Sequence, residues 1–255
     1  MPKIIVQIYE VQTPGEAEVM ISLGVDHIGS VLLSGVDWKA PDLRETLGVV
    51  RASGAKSSLI PLFRGLDEVL RATDYYQPDI LHFCEAFPLG DDRRKFCDRL
   101  IELQNRVKER FPETAIMRSI PIAPPGSTGQ VPTLEFARWF MPATDLFLID
   151  TQRVGGHPGV IDGQPVPGFV GITGTPCDWA VAHQLVTLSP IPVILAGGIS
   201  PENVQDAIAA ARPAGVDSCT LTNAVDAAGM PIRFRKDPGK VRDLVAAVRR
   251  AENKK

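Results

Sequence analysis

Cysteine is scarce in this chain: the four present, Cys84, Cys97, Cys177 and Cys219, stand far apart, with no pair at CxxC spacing. That leaves neither a zinc-ligand pattern nor the framework of a disulfide-stapled domain, and reduced thiols are the expectation. Long hydrophobic runs are missing too, the longest falling under ten residues and broken by proline, glycine or charge, far short of what a bilayer requires. The N-terminus has no apolar signal core, so a cytoplasmic protein with no membrane partner is expected. Neither sign of charge dominates, the formal net being −3 at pH 7. Lys and Arg are spread through helical segments and form no patch suited to nucleic acid. No residue pattern asks for a metal or an organic cofactor.

What remains is the composition of an ordinary globular protein, 44% hydrophobic and 22% charged over 255 residues. Short apolar, β-branched runs alternate with segments whose apolar residues recur at steps of three and four. Strands are expected at residues 3–9, 26–33, 56–62, 79–84, 114–122, 145–150, 191–195 and 216–221, each followed by a helix. Alternating βα units imply a parallel sheet with right-handed crossovers, and eight of them in about 250 residues match a closed (β/α)8 TIM barrel. A doubly wound open sheet is the alternative, but it would usually carry glycines after its first strand, where this chain has Tyr9-Glu10-Val11-Gln12.

In such a barrel, catalytic groups sit at strand C-terminal ends and in the loops that follow. The candidates are then Tyr9, residues 34–39, Arg64, Cys84, Glu85, Arg118, Asp150, Thr173, Gly174, Gly197, Gly198 and residues 217–223. Residues 191–209 are the most organised stretch. An apolar strand leads through Ala196-Gly197-Gly198 to Ser200-Pro201-Glu202, a helix start with Ser200 at the N-cap. The glycines permit close backbone approach, and loop N–H groups there suit an anion. No lysine stands at a strand end to form a Schiff base, which disfavours an aldolase.

Four ordered segments carry a resemblance to a known family. They are residues 8–17 with Thr13-Pro14-Gly15-Glu16-Ala17; Leu148-Ile149-Asp150-Thr151; Thr173-Gly174-Thr175-Pro176-Cys177-Asp178-Trp179; and Leu195-Ala196-Gly197-Gly198 with Pro201-Glu202-Asn203-Val204. In these the chain resembles the phosphoribosylanthranilate isomerases, barrel enzymes that catalyse an Amadori rearrangement in tryptophan synthesis. The resemblance implies one barrel domain of the phosphate-binding type across residues 1–255, monomeric or homodimeric, with a small phosphorylated metabolite as ligand. It places Asp150 as the general acid that protonates the sugar ring oxygen. It places the phosphate against Thr173, Gly174, Ala196, Gly197, Gly198, Thr220 and Asn223.

The same resemblance marks departures. Tyr9-Glu10 stands where the family has Cys-Gly, the cysteine being its base. A tyrosine near its ordinary pKa of about 10 is a poor base, and Glu10 replaces the thiolate only if the loop bends. Cys84 is a further candidate, or an inert buried thiol, in the tract His82-Phe83-Cys84-Glu85. Where the family carries an arginine for the anthranilate end, Lys39 beside Trp38 offers a point charge rather than a fork. Loops 123–132 and 151–170 are long, and Arg153, Gly155, Gly156 and His157 suit a lid beside Asp150 or, equally, a solvated excursion or a subunit contact. Two functions fit: an isomerase that has diverged at its base, or a non-catalytic binder of a phosphorylated metabolite.

Overall fold

The computed structural model describes residues 3–127, 129–152 and 166–253. Its chain alternates β1 (Ile5–Ile8), α1 (Pro14–Ser22), β2 (His27–Leu32), α2 (Pro41–Ser53), β3 (Lys56–Pro61), α3 (Leu66–Tyr76), β4 (Ile80–Phe83) and α4 (Arg93–Arg110). It continues with β5 (Ala115–Ile122), α5 (Thr133–Phe140), β6 (Leu146–Thr151), α6 (Trp179–Leu188), β7 (Val193–Leu195), α7 (Val204–Ala211) and β8 (Gly215–Ser218). The hairpin β9 (Asn223–Val225) and β10 (Pro231–Lys236) precedes α8 (Pro238–Glu252). Strands β1 to β8 close into a parallel barrel, and β9 and β10 form a separate antiparallel pair. No helix among the described residues is long and apolar enough to cross a membrane.

Helix starts follow local chemistry. Thr13 caps α1 ahead of Pro14, Asp178 accepts from the amides of Ala180 (3.0 Å) and Val181 (3.2 Å), and Asp237 accepts from Gly239 (2.8 Å) and Lys240 (3.2 Å). The main core lies between barrel and helices, where Met20, Phe136, Phe140, Leu185 and Val248 are fully buried. Each such side chain contributes about 1.5–3 kcal/mol from burial. A smaller cluster, including Tyr9, Met117, Leu148 and Ile194, fills the barrel interior. Arg118 and Glu85 lie between these layers as a fully buried ion pair, with Gln104 accepting from Arg118 Nε at 2.6 Å and the rings of Phe83 and Phe140 against the guanidinium. They are structural, and Arg118, expected at a strand end, lies in the middle of β5, with Glu85 two residues beyond β4.

Register positions the site. Ile149 is level with Leu195 and Leu195 with Val216, so the next residues, Asp150, Ala196 and Asp217, share one tier at the C-terminal mouth. Next around the barrel, β1 pairs with β8, and Tyr9 follows β1 beside Gly29 of β2, where any Cβ would land in the tyrosine ring. Gly29 thus makes the space that a large residue at position 9 requires.

Two elements differ from the sequence expectation. Residues 201–203 form a turn, and α7 begins only at Val204. Asn203 holds that turn: its Oδ1 accepts from Ser200 N at 2.9 Å and its Nδ2 donates to Gly198 O at 2.7 Å. The expected eighth strand ends at Ser218, and the chain passes through a 3-10 turn (Thr220–Thr222) into the unforeseen hairpin. Its first strand is only three residues, Asn223-Ala224-Val225, and the second alternates Ile232 and Phe234 with arginines over too short a run to stand out.

Candidate active site

Two adjoining cavities open at the mouth and share Asp150, Ile172, Asp217 and Cys219. The first is polar and largely backbone, lined by Thr173, Gly174, Ala196, Gly197, Gly198 and Thr220. Six of the seven residues expected around an anion thus surround one space. Gly174, Gly197 and Gly198 have φ of 59°, 83° and 59°, a region open to glycine without strain. At Gly198 a Cβ would sit 2.6 Å from Pro176 N and 2.7 Å from Thr175 C, so two backbones pack with no room between them. Thr151 Oγ1 ties the same loop down by donating to Thr175 O at 2.8 Å.

The seventh residue does not join them. Asn223 is buried at the start of β9, where its Oδ1 accepts from Lys236 Nζ at 2.5 Å. Lys236 is itself buried and also donates to Cys219 O at 2.9 Å. An ammonium out of water must be hydrogen-bonded, and Asn223 is committed to that task. Lys39 is likewise absent from both cavities. Its Nζ lies 5.1 Å from the Trp38 ring centroid and 5.7 Å from that of Tyr75, drawn into a cation–π cluster.

The second cavity is mainly apolar, with Val31, Ile60, Leu62, Leu148 and Val170 among its walls. Val170 belongs to the described end of the long loop, which runs along β4 through Val170 N donating to Cys84 O at 2.8 Å. Arg153, Gly155, Gly156 and His157, the expected lid, lie outside the described residues.

Tyr9 and Glu10 both line this cavity, but neither is poised as a base. The Tyr9 hydroxyl is 2.6 Å from Ser58 Oγ and 2.7 Å from His82 Nδ1, and His82 Nε2 is 2.8 Å from Ser119 Oγ. Burial raises the phenol well above its usual 10, against the opposing Ser58 hydrogen bond, so it remains a protonated hydrogen-bonding group. The same burial, aided by the charge of Arg118, pushes His82 down to about 3, leaving it neutral. Glu10 does take the bend that would turn it inward, with φ of 64° where a family glycine would sit freely. Its Oε1, however, accepts from Arg233 Nε at 3.0 Å and pairs also with Nη2 of that residue. Cys84 is buried beside them, its thiol pushed up by desolvation and by Glu85, and is inert at neutral pH.

The two carboxyls behave differently. Asp150, half-buried near the end of β6, is raised to about 6 by desolvation, opposed by the Thr151 amide that donates to its Oδ1 at 2.7 Å. Asp217 is raised to about 7, again chiefly by desolvation, with Gln7 and Lys236 opposing and Asp150 adding to the rise. Gln7 Nε2 donates to Asp217 Oδ1 at 3.1 Å, and Gln7 Oε1 faces His27 Nδ1 at 3.2 Å. Sequence reasoning reached Asp217 only as one member of a strand-end segment. The signal it offered was position, and position does not reveal a carboxyl facing another across a shared cavity.

Fold and mouth together define a (β/α)8 barrel in which Asp150 is shared by a polar, backbone-lined cavity and an apolar one. The sequence model of "N-(5'phosphoribosyl)anthranilate (PRA) isomerase" matches residues 122–247. N-(5'-phosphoribosyl)anthranilate isomerase of Methanothrix thermoacetophila is 29% identical over 237 residues, 92% of this chain and 92% of that protein. Among solved structures, phosphoribosyl anthranilate isomerase from Thermus thermophilus aligns at a TM-score of 0.67 and 20% identity, covering 97% of this chain and 99% of that one. One in complex with reduced 1-(o-carboxyphenylamino)-1-deoxyribulose 5-phosphate gives 0.65 and 17%, covering 96% and 98%. Family model, curated relatives and solved structures agree that this chain is similar to the phosphoribosylanthranilate isomerases.

Proposed function

We propose that the protein is an isomerase of an N-substituted ribosylamine 5-phosphate, opening the ring and converting the aldose amine to the ketose amine. The observation that carries this reading is the place of Asp150, common to the polar cradle and the apolar cavity and lifted by burial to about 6. A substrate laid across that junction puts its phosphate on Thr173, Gly174, Ala196, Gly197, Gly198 and Thr220, and its amine substituent among Val31, Ile60 and Leu62. The ring oxygen then falls between the two, where a carboxylic acid raised toward neutrality donates its proton. Ring opening leaves an iminium at C1, and loss of the C2 proton gives the enol that becomes the ketone.

The substituent end has diverged. No guanidinium from the loop after β2 reaches the cavity, and Arg233, the cation that lines it, is paired with Glu10. An aryl amine without a carboxylate therefore suits this wall at least as well as anthranilate. The test is turnover of N-(5'-phosphoribosyl)anthranilate and N-(5'-phosphoribosyl)aniline, alongside calorimetric titration with inorganic phosphate. Asp150→Asn is expected to lower kcat by about 100-fold to 10,000-fold while phosphate still binds. Turnover of neither substrate by the wild type overturns the reading.

One observation favours the second function, a binder without catalysis: the family's base position is occupied by a phenol that stays protonated. That protein would bind both ribosylamine phosphates and release them unchanged.

A further inference from the structure

An isomerase with Tyr9 protonated needs another proton acceptor at C2, and the groups around the two cavities can be taken in turn. Cys84 and Cys219 are thiols pushed up by burial. His82 has both ring nitrogens engaged, by Tyr9 and by Ser119. Glu10 is ion-paired with Arg233 through Oε1 alone, its Oε2 without a hydrogen-bond partner among the described residues, but it lines only the apolar cavity and not the polar cradle. Asp150 is committed to the ring oxygen. Asp217 remains, level with Asp150 two strands away, lining both cavities and 6% exposed.

We propose that Asp217 is the catalytic base of this enzyme, taking the role that a residue after β1 fills in the resemblance. This rests on the isomerase reading of the same site. Asp150 gives its proton to the ring oxygen as the C1–O bond breaks, and the nitrogen lone pair forms the C1=N bond. Asp217 then takes the proton from C2; the C–H pair becomes the C1=C2 bond and the C=N pair returns to nitrogen. The proton on Asp217 passes to C1 as the enol hydroxyl proton returns through solvent to Asp150. Substrate and product are isomers and both carboxyls are restored, so no oxidant or co-reactant is required.

The surroundings of Asp217 suit that task. Gln7, oriented by His27, holds one carboxylate oxygen by an amide donor. The charged and titratable groups that act on it are Asp150, which disfavours its ionised form, and Lys236 from β10, which favours it. Tyr9 and Cys219 feel its charge in return. The balance leaves a carboxylate titrating at about 7, a stronger base than an ordinary aspartate and still ionised in useful amount at neutral pH.

The experiment uses the full chain with N-(5'-phosphoribosyl)aniline and N-(5'-phosphoribosyl)anthranilate, each also prepared with deuterium at C2. Asp217→Asn is expected to lower kcat at least about 100-fold, with KM and inorganic-phosphate affinity within about threefold of wild type. Asp217→Glu should recover part of the loss. Wild-type rate should be bell-shaped in pH with limbs near 6 and 7, and the residual rate of Asp217→Asn should lose the acid limb, staying level below about pH 6. Retained phosphate binding separates lost chemistry from lost folding. If the wild type turns over and Asp217→Asn keeps its rate within tenfold or its acid limb, Asp217 is not the base and the isomerase reading stands. If the wild type turns over neither substrate, both fall together.

Discussion

The two sides of the barrel mouth are built from different material. Around Gly174, Gly197 and Gly198 the wall is backbone, and its shape depends on side chains being absent. Around Tyr9, Glu10 and Cys84 it is made of side chains interlocked with one another through Ser58, His82 and Arg233. A backbone cradle admits few substitutions, because a Cβ at Gly198 meets main-chain atoms that cannot swing aside. A side-chain wall can be rebuilt one residue at a time, provided its neighbours change with it. Gly29 under the Tyr9 ring and Arg233 against Glu10 are the neighbours that would have to change with positions 9 and 10. The difference teaches that the backbone side resists single substitutions, whereas the side-chain side tolerates them in coupled sets.

Asp217 joins the two sides and gives the largest expected effect. Its carboxyl titrates near ~3.9 in an unfolded chain and at about 7 in the fold. The folded state therefore holds the proton more tightly. The associated stability is fully present below the unfolded value and is lost as pH rises through about 7, with Asp150 adding a smaller loss of the same sign through about 6. Asp217→Asn removes its share, so the variant should gain on wild type between pH 5 and pH 8 by on the order of 2.5 kcal/mol, about 1.4 kcal/mol for each of the roughly two pH units between 5 and 7. Urea unfolding at the two pH values measures this, and parallel changes in both proteins would show the carboxyl to be unperturbed.

The backbone side is broken at Gly198. Alanine there meets Pro176 N at 2.6 Å and takes φ of 59°. Overpacking and a left-handed alanine together should cost about 2–4 kcal/mol and abolish phosphate binding. A thermal melt and a phosphate titration check both; an unchanged phosphate affinity would place the anion elsewhere.

The side-chain wall breaks differently, because its parts are coupled. Gly29→Ala should cost about 1–3 kcal/mol alone, since the new methyl invades the Tyr9 ring. In a Tyr9→Cys background the ring is gone, and the cost should fall to a few tenths of that. A coupling energy of about 1–2 kcal/mol in the four-protein cycle is the expected result. Additive effects would mean that Gly29 serves something other than room for the tyrosine.

The contrast between the two sides also decided what the sequence could disclose. Period, caps and glycines fix the barrel, so all eight strands were legible as local signals, whereas the roles expected of Asp150 and of the residues from Thr173 to Thr220 came from the family resemblance and from their place at the mouth. Lys39 and Asn223 were misplaced because their positions depend on partners remote in sequence or in an unforeseen hairpin: Trp38 and Tyr75 for one, Lys236 for the other. Asp217 was visible only as a strand-end residue. Its environment comes from Gln7, Asp150 and Lys236, on three other elements, and burial cannot be read from residue spacing. The hairpin escaped because β9 is three residues long and the alternation of Ile232 and Phe234 with Arg233 and Arg235 in β10 spans too few residues to distinguish a strand from a loop.

The smallest effect is the most direct measure of how the side-chain wall holds its backbone. Glu10 occupies φ of 64°, a conformation that costs a non-glycine residue about 1 kcal/mol, and it is held there by Arg233. Glu10→Ala keeps the unfavourable conformation and removes the ion pair; Glu10→Gly removes both. The glycine variant should lie within about 1 kcal/mol of wild type, because relief of the backbone offsets the lost pair, and Arg233, 26% exposed, regains water. The alanine variant should be less stable than the glycine variant by about 1 kcal/mol. Chemical denaturation of the pair reads that gap directly. Equal stabilities would mean that the chain relaxes once Arg233 is released, and that the ion pair, rather than the fold of the loop after β1, imposes the bend at Glu10.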